Sequence, residues 1–291
     1  MKEYDLAFSL GSNCGVSQAM RSVGLQFASY PLDWAAVKDI GAGVRSVVTG
    51  FDRWFEAEDL DLFTVCHSVG FLTRIYLNRR TAIGFSHEFG DFEPFAKAYP
   101  IVRKTYARRI ERFMETLLKS RRILAVWAEL PTHGRPDDAV FREALAALRA
   151  KCPDARVDLV AFYESPGCTS PKVVLEEDGL SVVAADYRKM DGDVIAHYVD
   201  FSQYAHYLAA NVRVPDRRTA EEKNAFASYD SKIKSIRWGL DKSPFRRRIN
   251  QWAYKLFRIL EGILRRRGLV HGDVSFWFWE DIRREAEGGA K

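Results

Sequence analysis

The chain has 291 residues, of which 47% are hydrophobic and 29% are charged, and its formal net charge is +5. Because these fractions are close to the average for globular domains, they exclude wholesale disorder, collagen-like repeats and a disulfide-dominated scaffold. The small positive excess allows an anionic partner but does not require one.

The N-terminal part of the chain predicts a strand, a tight turn and a helix. An apolar run at 4–10 is typical of a short buried strand, and the small and polar residues from Gly11 to Gly15 interrupt it. Apolar residues then recur at helical spacing as far as Gly24. The next segment, residues 29–34, reads SYPLDW, and we expect it to form a turn that leads into another helix.

The middle of the chain alternates between strand and helix patterns. Two strand-like pieces come first, then a long amphipathic helix, then a strand, a helix that begins near two aspartates, and two more strands. In chain order these predicted elements are 71–77, 82–86, 99–119, 123–130, 137–150, 157–163 and 180–185. A further aromatic helix is expected within 193–210.

This order predicts an α/β fold with a mostly parallel sheet flanked by helices, and the alternative is an α+β layout of the papain type. We assign residues 1–212 to this core domain and residues 213–291 to a charged loop and a helical C-terminal extension. The extension contains an apolar stripe at 249–264 between two arginine clusters. Packing on the domain is the simpler interpretation of this stripe, whereas a peripheral contact with anionic membrane or protein through 246–267 is the more specific one.

Cys14 is the strongest candidate for chemistry, because it lies where the first predicted strand turns into a helix. The positive end of a helix dipole favours the reactive thiolate form of a cysteine. The small residues Gly11 and Ser12 would let a substrate approach the backbone, and Asn13 has two possible roles, to cap the helix or to donate a hydrogen bond to an oxyanion. A small buried cysteine with no chemical role is the alternative.

A cysteine nucleophile needs a base, and His87 lies where a predicted strand ends in a polar turn. Asp33 or Asp91 could orient its imidazole ring, or the site could lack a third member. Asp33 could equally act as a buried acceptor that fixes the PLDW turn. Spacing alone also allows His87 to be an ordinary surface histidine.

Four segments together resemble a bacterial family of unknown function that is described as papain-like cysteine peptidases. The segments are SLGSNC at 9–14, SYPLDW at 29–34, HEF at 87–89 and RIERF at 109–113. The resemblance covers about residues 4–130 and implies Cys14 as the nucleophile and His87 as the base. The chain departs from the family pattern at Leu32, where phenylalanine is usual, and at Glu88, where aspartate is usual.

Three functions follow from these patterns. The first is a cysteine hydrolase or acyl transferase that acts on a peptide or small molecule. The second is a sugar- or nucleotide-binding transferase linked to cell-surface polysaccharide, in which the Gly11–Gly15 turn would bind an anion and the arginines of 103–112 would help to bind phosphate. Whatever the reaction, we expect Arg109 and Arg112 to line the substrate site. The third is a non-enzymatic interaction protein that docks through 246–267.

The remaining expectations concern location and ligands. The sequence shows no secretory signal and no apolar run long enough to cross a bilayer. None of the four cysteines is paired at CxxC spacing, so we expect free thiols in the cytoplasm and no metal. We expect no cofactor and no nucleic-acid partner.

Overall fold

The computed structural model describes residues 1–12, 14–68, 71–90, 95–129, 135–186, 188–189 and 199–224. Within these ranges, only the backbone is described for residues 63–68, 71–74, 86, 87, 90, 188–189 and 199–200. The predicted C-terminal helix at 249–264 and the contact surface at 246–267 lie outside the described residues, as do Asn13 and Asp91. The division of the chain at residue 212 therefore stays a prediction.

The described part of the chain contains helices close to the predicted positions. They are α1 (Cys14–Ser22), α2 (Ile40–Val48), α3 (Phe95–Lys119), α4 (Asp138–Lys151) and α5 (Ser202–Asn211). Short 3₁₀ turns lie at Pro31–Trp34 and Ala57–Asp59. Helix α4 begins where two aspartates predict it, because the Asp137 side chain accepts a hydrogen bond from the Ala139 amide.

The strands form two larger sheets and two short pairs. In chain order they are β1 (Lys2–Glu3), β2 (Leu6–Ser9), β3 (Ala35–Val37), β4 (Leu60–Ser68), β5 (Phe71–Asn78), β6 (Ile83–Gly90), β7 (Arg122–Ala128), β8 (Arg156–Glu164), β9 (Lys172–Glu177), β10 (Leu180–Ala185), β11 (Arg188–Lys189), β12 (Val199–Asp200) and β13 (Val212–Arg213). The short pairs are β1 with β13 and β11 with β12.

The larger sheet confirms the predicted α/β class. Its strand order is β2-β7-β8-β10-β9, and every neighbouring pair is parallel except β10 with β9. Ser9 of β2 lies opposite Val126 of β7, which lies opposite Val160 of β8. The carboxyl ends of these strands therefore meet at one edge of the sheet, and this edge carries the turn that leads to Cys14.

The second sheet is antiparallel, with the order β3-β6-β5-β4. Strands β5 and β6 include the two predicted pieces, whereas β4 was not predicted, because its sequence LDLFTVCHS lacks a regular alternation. Ala35 of β3 lies opposite Phe85 of β6. Because β3 directly follows the Pro31–Trp34 turn, this pairing brings β6 next to the PLDW segment.

Two apolar layers cover the parallel sheet, one on each face. Helices α1 and α5 pack Met20 and Tyr204 on one face, against Val126. On the other face Phe113 of α3 packs on Phe8 of the parallel sheet, in one buried cluster that also contains Phe85 of the antiparallel sheet. Cys14 therefore lies on α1 and His87 on β6, and the fold brings these two elements to one edge of the parallel sheet.

Candidate active site

The Cys14 junction, residues 9–15, connects β2 to α1. Gly11 and Ser12 both have positive φ angles, +99° and +73°. Glycine adopts this conformation without strain, whereas a serine in it is strained. The tight turn makes Cys14 the first residue of α1, as the sequence predicts. The partly exposed Cys14 therefore lies at the positive end of a nine-residue helix.

Side chains packed closely against two glycines hold the Cys14 junction in this shape. A Cβ atom on Gly11 would lie 2.1 Å from Cγ2 of Val37, and one on Gly15 would lie 1.8 Å from Cε2 of Phe201. Both distances are too short for real atoms, so only glycine fits at either position. The Val37 amide also donates to the Ser12 carbonyl, over 3.4 Å.

Two polar side chains, Gln18 of α1 and Ser12 of the turn, lie at or beside the Cys14 junction. The Gln18 amide donates to Sγ of Cys14 over 3.4 Å, as expected for residues four apart on one helix face. The Ser12 residue is fully buried, and its hydroxyl has no hydrogen-bond partner among the residues that the structure describes. A buried polar group without a partner is costly to the folded state.

Asp33 is a fully buried acceptor that ties the PLDW turn to α1. Its carboxylate accepts hydrogen bonds from Ser17 Oγ over 3.0 Å and from Gln26 Nε2 over 2.5 Å. It also accepts from the Tyr30 amide over 2.7 Å and pairs with Arg21 at 3.4 Å. Burial raises the pKa of Asp33, although Arg21 and the hydrogen bonds oppose this shift. These contacts are those of a buried acceptor in the PLDW turn, and a role of Asp33 in orienting His87 stays a prediction.

His87 lies on β6, two residues beyond Phe85, and its side chain is outside the described set. Its neighbour Glu88 accepts hydrogen bonds from Arg109 Nη1 over 2.9 Å and from the Tyr106 hydroxyl over 3.0 Å. The Arg109 guanidinium also lies over the Tyr106 ring, 4.8 Å from its centroid. We call this trio of Glu88, Tyr106 and Arg109 the β6 anchor.

The two arginines predicted to line the substrate site also contact site segments, and their role towards a substrate stays a prediction. Arg109 is 7% exposed within the β6 anchor, and burial raises the pKa of Tyr106 well above its usual range. Arg112 donates to the Ser29 carbonyl, which begins the SYPLDW segment. Burial lowers the pKa of Arg112. Both guanidinium groups therefore have protein partners in the structure.

Two residues near the Cys14 junction were missed by sequence reasoning. Gln18, which contacts the Cys14 thiol, carries a recognisable signal, because it follows Cys14 by one helical turn. Glu129 directly follows β7 and is 4% exposed, and its carboxylate accepts from the Trp127 indole over 2.9 Å. A carboxylate directly after a buried parallel strand marks the same sheet edge as Cys14.

The described residues contain no group of histidine, cysteine, aspartate and glutamate side chains that could hold a metal ion. Among the described side chains, Cys14, Cys152 and Cys168 form no disulfide, and Cys152 is buried. No described helix has both the length and the apolar character needed to cross a membrane.

The fold and this junction define an α/β protein with a partly exposed cysteine at a strand–helix turn and a histidine-bearing strand from a second sheet. The chain belongs to the family described as "Putative papain-like cysteine peptidase", whose model matches residues 5–164, more than half of the chain. The matched region contains all four segments on which the resemblance was based. Family membership supports the general class of cysteine hydrolase.

One curated relative is an uncharacterized protein, R408, of Acanthamoeba polyphaga mimivirus. It is 28% identical over 127 residues, which cover 39% of this chain and 56% of the relative. The chain thus spans little more than half the length of this viral protein. No solved structure matches the chain significantly.

Proposed function

We propose that the protein is a cysteine hydrolase in which Cys14 is the nucleophile and His87 is the general base. The observation that carries the proposal is the position of Cys14, partly exposed at the first residue of α1 after a strained turn. A helix N-terminus and the Gln18 donor both favour the thiolate, which is the reactive form. The family match over residues 5–164 supports the same class.

The position of His87 supports its role as the base. Papain-like enzymes pair a cysteine on a helix with a histidine on an antiparallel sheet. In this chain α1 begins with Cys14, and the antiparallel β6 carries residue 87 beside the PLDW turn. Asp33 binds both that turn and α1, so it connects the two segments.

The proposed reaction has two steps. The Cys14 thiolate forms a bond to a substrate carbonyl carbon, and the leaving amine or alcohol takes the proton held by His87. Water then attacks the thioester while His87 takes one of its protons. The carbon–sulfur bond breaks, and the acid product leaves with the Cys14 thiolate and protonated His87 restored. Amide groups at the start of α1 and the Ser12 hydroxyl are the proposed donors to the oxyanion. Transfer to an acceptor other than water would follow the same course.

Burst kinetics with p-nitrophenyl acetate test this function. We expect a burst of p-nitrophenol close to one equivalent and an acetyl adduct on Cys14 in the mass spectrum. Cys14→Ala should remove both, whereas Cys168→Ala, at the other partly exposed thiol among the described side chains, should retain both. An adduct distributed over Cys14 and Cys168 with no burst would contradict the proposal.

A further inference from the structure

The RIERF segment, residues 109–113 of α3, contacts three of the segments that build the candidate site. Arg109 binds Glu88 of β6, and Arg112 binds the carbonyl of Ser29. The Phe113 ring packs against Phe8 of β2, with ring centroids 5.0 Å apart. Arg109 and Phe113 are buried, and Arg112 is partly buried.

These contacts lead to both proposed catalytic residues. Glu88 is the chain neighbour of His87, and Phe8 lies on the strand that leads into the Cys14 junction. Ser29 precedes Tyr30, whose ring packs on Phe113 with centroids 5.3 Å apart and whose amide donates to Asp33. Asp33 in turn binds α1 through Ser17. One helical turn of α3 is therefore the common support of the helix with Cys14 and the strand with His87.

We propose that Arg109 and Arg112 are positioning residues that set the separation between Cys14 and His87. This inference rests on the proposed function and names the residues on which its geometry depends. Arg109 is suited to the role because it is 7% exposed and its fork is oriented by both Glu88 and the Tyr106 ring. Arginine presents a planar set of donors that a single ammonium does not reproduce.

Loss of a positioning residue should change the rate of the chemical step. A shift of about 1 Å in a reacting group costs on the order of a hundredfold in rate, even when the substituted residue does not touch substrate. Loss of either arginine should therefore reduce kcat, while KM for a small ester stays close to its wild-type value. Arg108, next in the chain but exposed on α3, gives the matched control.

The test compares Arg109→Met, Arg109→Lys, Arg112→Met and Arg108→Met in the hydrolysis of p-nitrophenyl acetate. Circular dichroism spectra at low temperature identify the variants that fold. We expect kcat to fall by about ten- to a hundredfold in Arg109→Met and Arg112→Met. Partial recovery is expected in Arg109→Lys, and no change in Arg108→Met. If Arg109→Met does not fold, the kcat values of Arg109→Lys and Arg112→Met are compared with those of the wild type and Arg108→Met.

Folded Arg109→Lys and Arg112→Met proteins with wild-type kcat would overturn the positioning role. So would an equal loss of kcat in Arg108→Met. A His87→Ala arm separates this inference from the proposed function. If His87→Ala retains full activity, the proposed function fails; if His87→Ala is inactive and the arginine variants are not, the positioning role alone fails.

Discussion

The Cys14 junction and the β6 anchor are held in place by different interactions. Steric fit holds the junction, where glycines at 11 and 15 admit Val37 and Phe201 closer than any other residue would allow. Charge holds the anchor, where Arg109 and Glu88 form a nearly buried ion pair at 2.9 Å. Steric fit depends on the volume of each side chain, whereas a buried pair is sensitive to the loss of either charge. We call the Cys14 junction the steric side of the site and the β6 anchor the charged side. Different kinds of substitution should therefore destabilise the two sides.

The largest expected effect is on the charged side. Arg109→Met leaves the Glu88 carboxylate buried without its cation, and removal of one partner of such a pair costs about 3–5 kcal/mol of the free energy of unfolding. Urea titration at pH 7 measures this loss. The double variant Arg109→Met/Glu88→Gln should recover part of it, because no uncompensated charge remains.

Arg142→Met is the control for this prediction, because Arg142 forms an exposed pair with Glu177. Exposed pairs contribute little to stability, so the urea midpoint of Arg142→Met should stay close to that of the wild type. Equal losses of unfolding free energy in Arg109→Met and Arg142→Met would show that burial of the β6 anchor does not increase its contribution to stability.

The steric side is tested by Gly11→Ala. The added methyl group would meet Val37, and the positive φ of +99° adds backbone strain, so we expect a loss of about 3 kcal/mol in the free energy of unfolding. Gly24→Ala is the matched control, since Gly24 has a φ of +71° but no atom within 4 Å of the added group. That variant should lose only about 1 kcal/mol, from strain alone. Similar losses of unfolding free energy in Gly11→Ala and Gly24→Ala would contradict the claim that contact with Val37 restricts position 11 to glycine.

Asp33 connects the two sides, and its contribution should depend on pH. Because burial raises its folded-state pKa, the native protein holds more protons than the unfolded chain between the ordinary carboxyl pKa near 4 and the raised value. Stability from this group is thus lost as pH rises through that window, with a slope of at most about 1.4 kcal/mol per pH unit.

Asp33→Asn removes this titration. Urea titrations from pH 4 to 7 should show the stability difference between wild type and variant move in favour of the variant as pH rises. The variant should also lose about 1–2 kcal/mol at pH 4, because its amide cannot accept all the hydrogen bonds of the carboxyl group. A difference that is constant over the whole range would contradict the raised pKa of Asp33.

Gln18 gives the smallest predicted effect, and it concerns the thiolate. Gln18→Glu replaces a donor 3.4 Å from the Cys14 sulfur with a negative charge. A like charge at this distance disfavours the thiolate, so the pH midpoint of Cys14 alkylation should rise by about one unit. Gln18→Ala should produce a smaller rise. An unchanged midpoint in both variants would show that Gln18 does not stabilise the anion.

The sequence predicted the steric side better than the charged side. The parallel strands and α1 follow from apolar runs and small residues that are adjacent in the chain, so local pattern is sufficient. Strand β4 was missed because its alternation is irregular, and α3 begins at Phe95 rather than Tyr99. The β6 anchor joins Glu88 to Arg109, which are 21 residues apart, and only tertiary packing brings them together. For the same reason the sequence does not reveal the protein partners of Arg109 and Arg112, Glu88 and the Ser29 carbonyl.

The central claim is that Cys14 and His87 act as a pair, and the pH profile of Cys14 alkylation tests it most directly. The rate of reaction with iodoacetamide is measured by mass spectrometry from pH 5 to 9, for wild type and for His87→Ala, with Cys66, Cys152 and Cys168 replaced by alanine in both. We predict that wild-type Cys14 reacts rapidly well below pH 8.5, about the ordinary value for a thiol, and that His87→Ala moves the profile up towards that value. A wild-type profile centred near pH 8.5 and unchanged in His87→Ala would contradict the account.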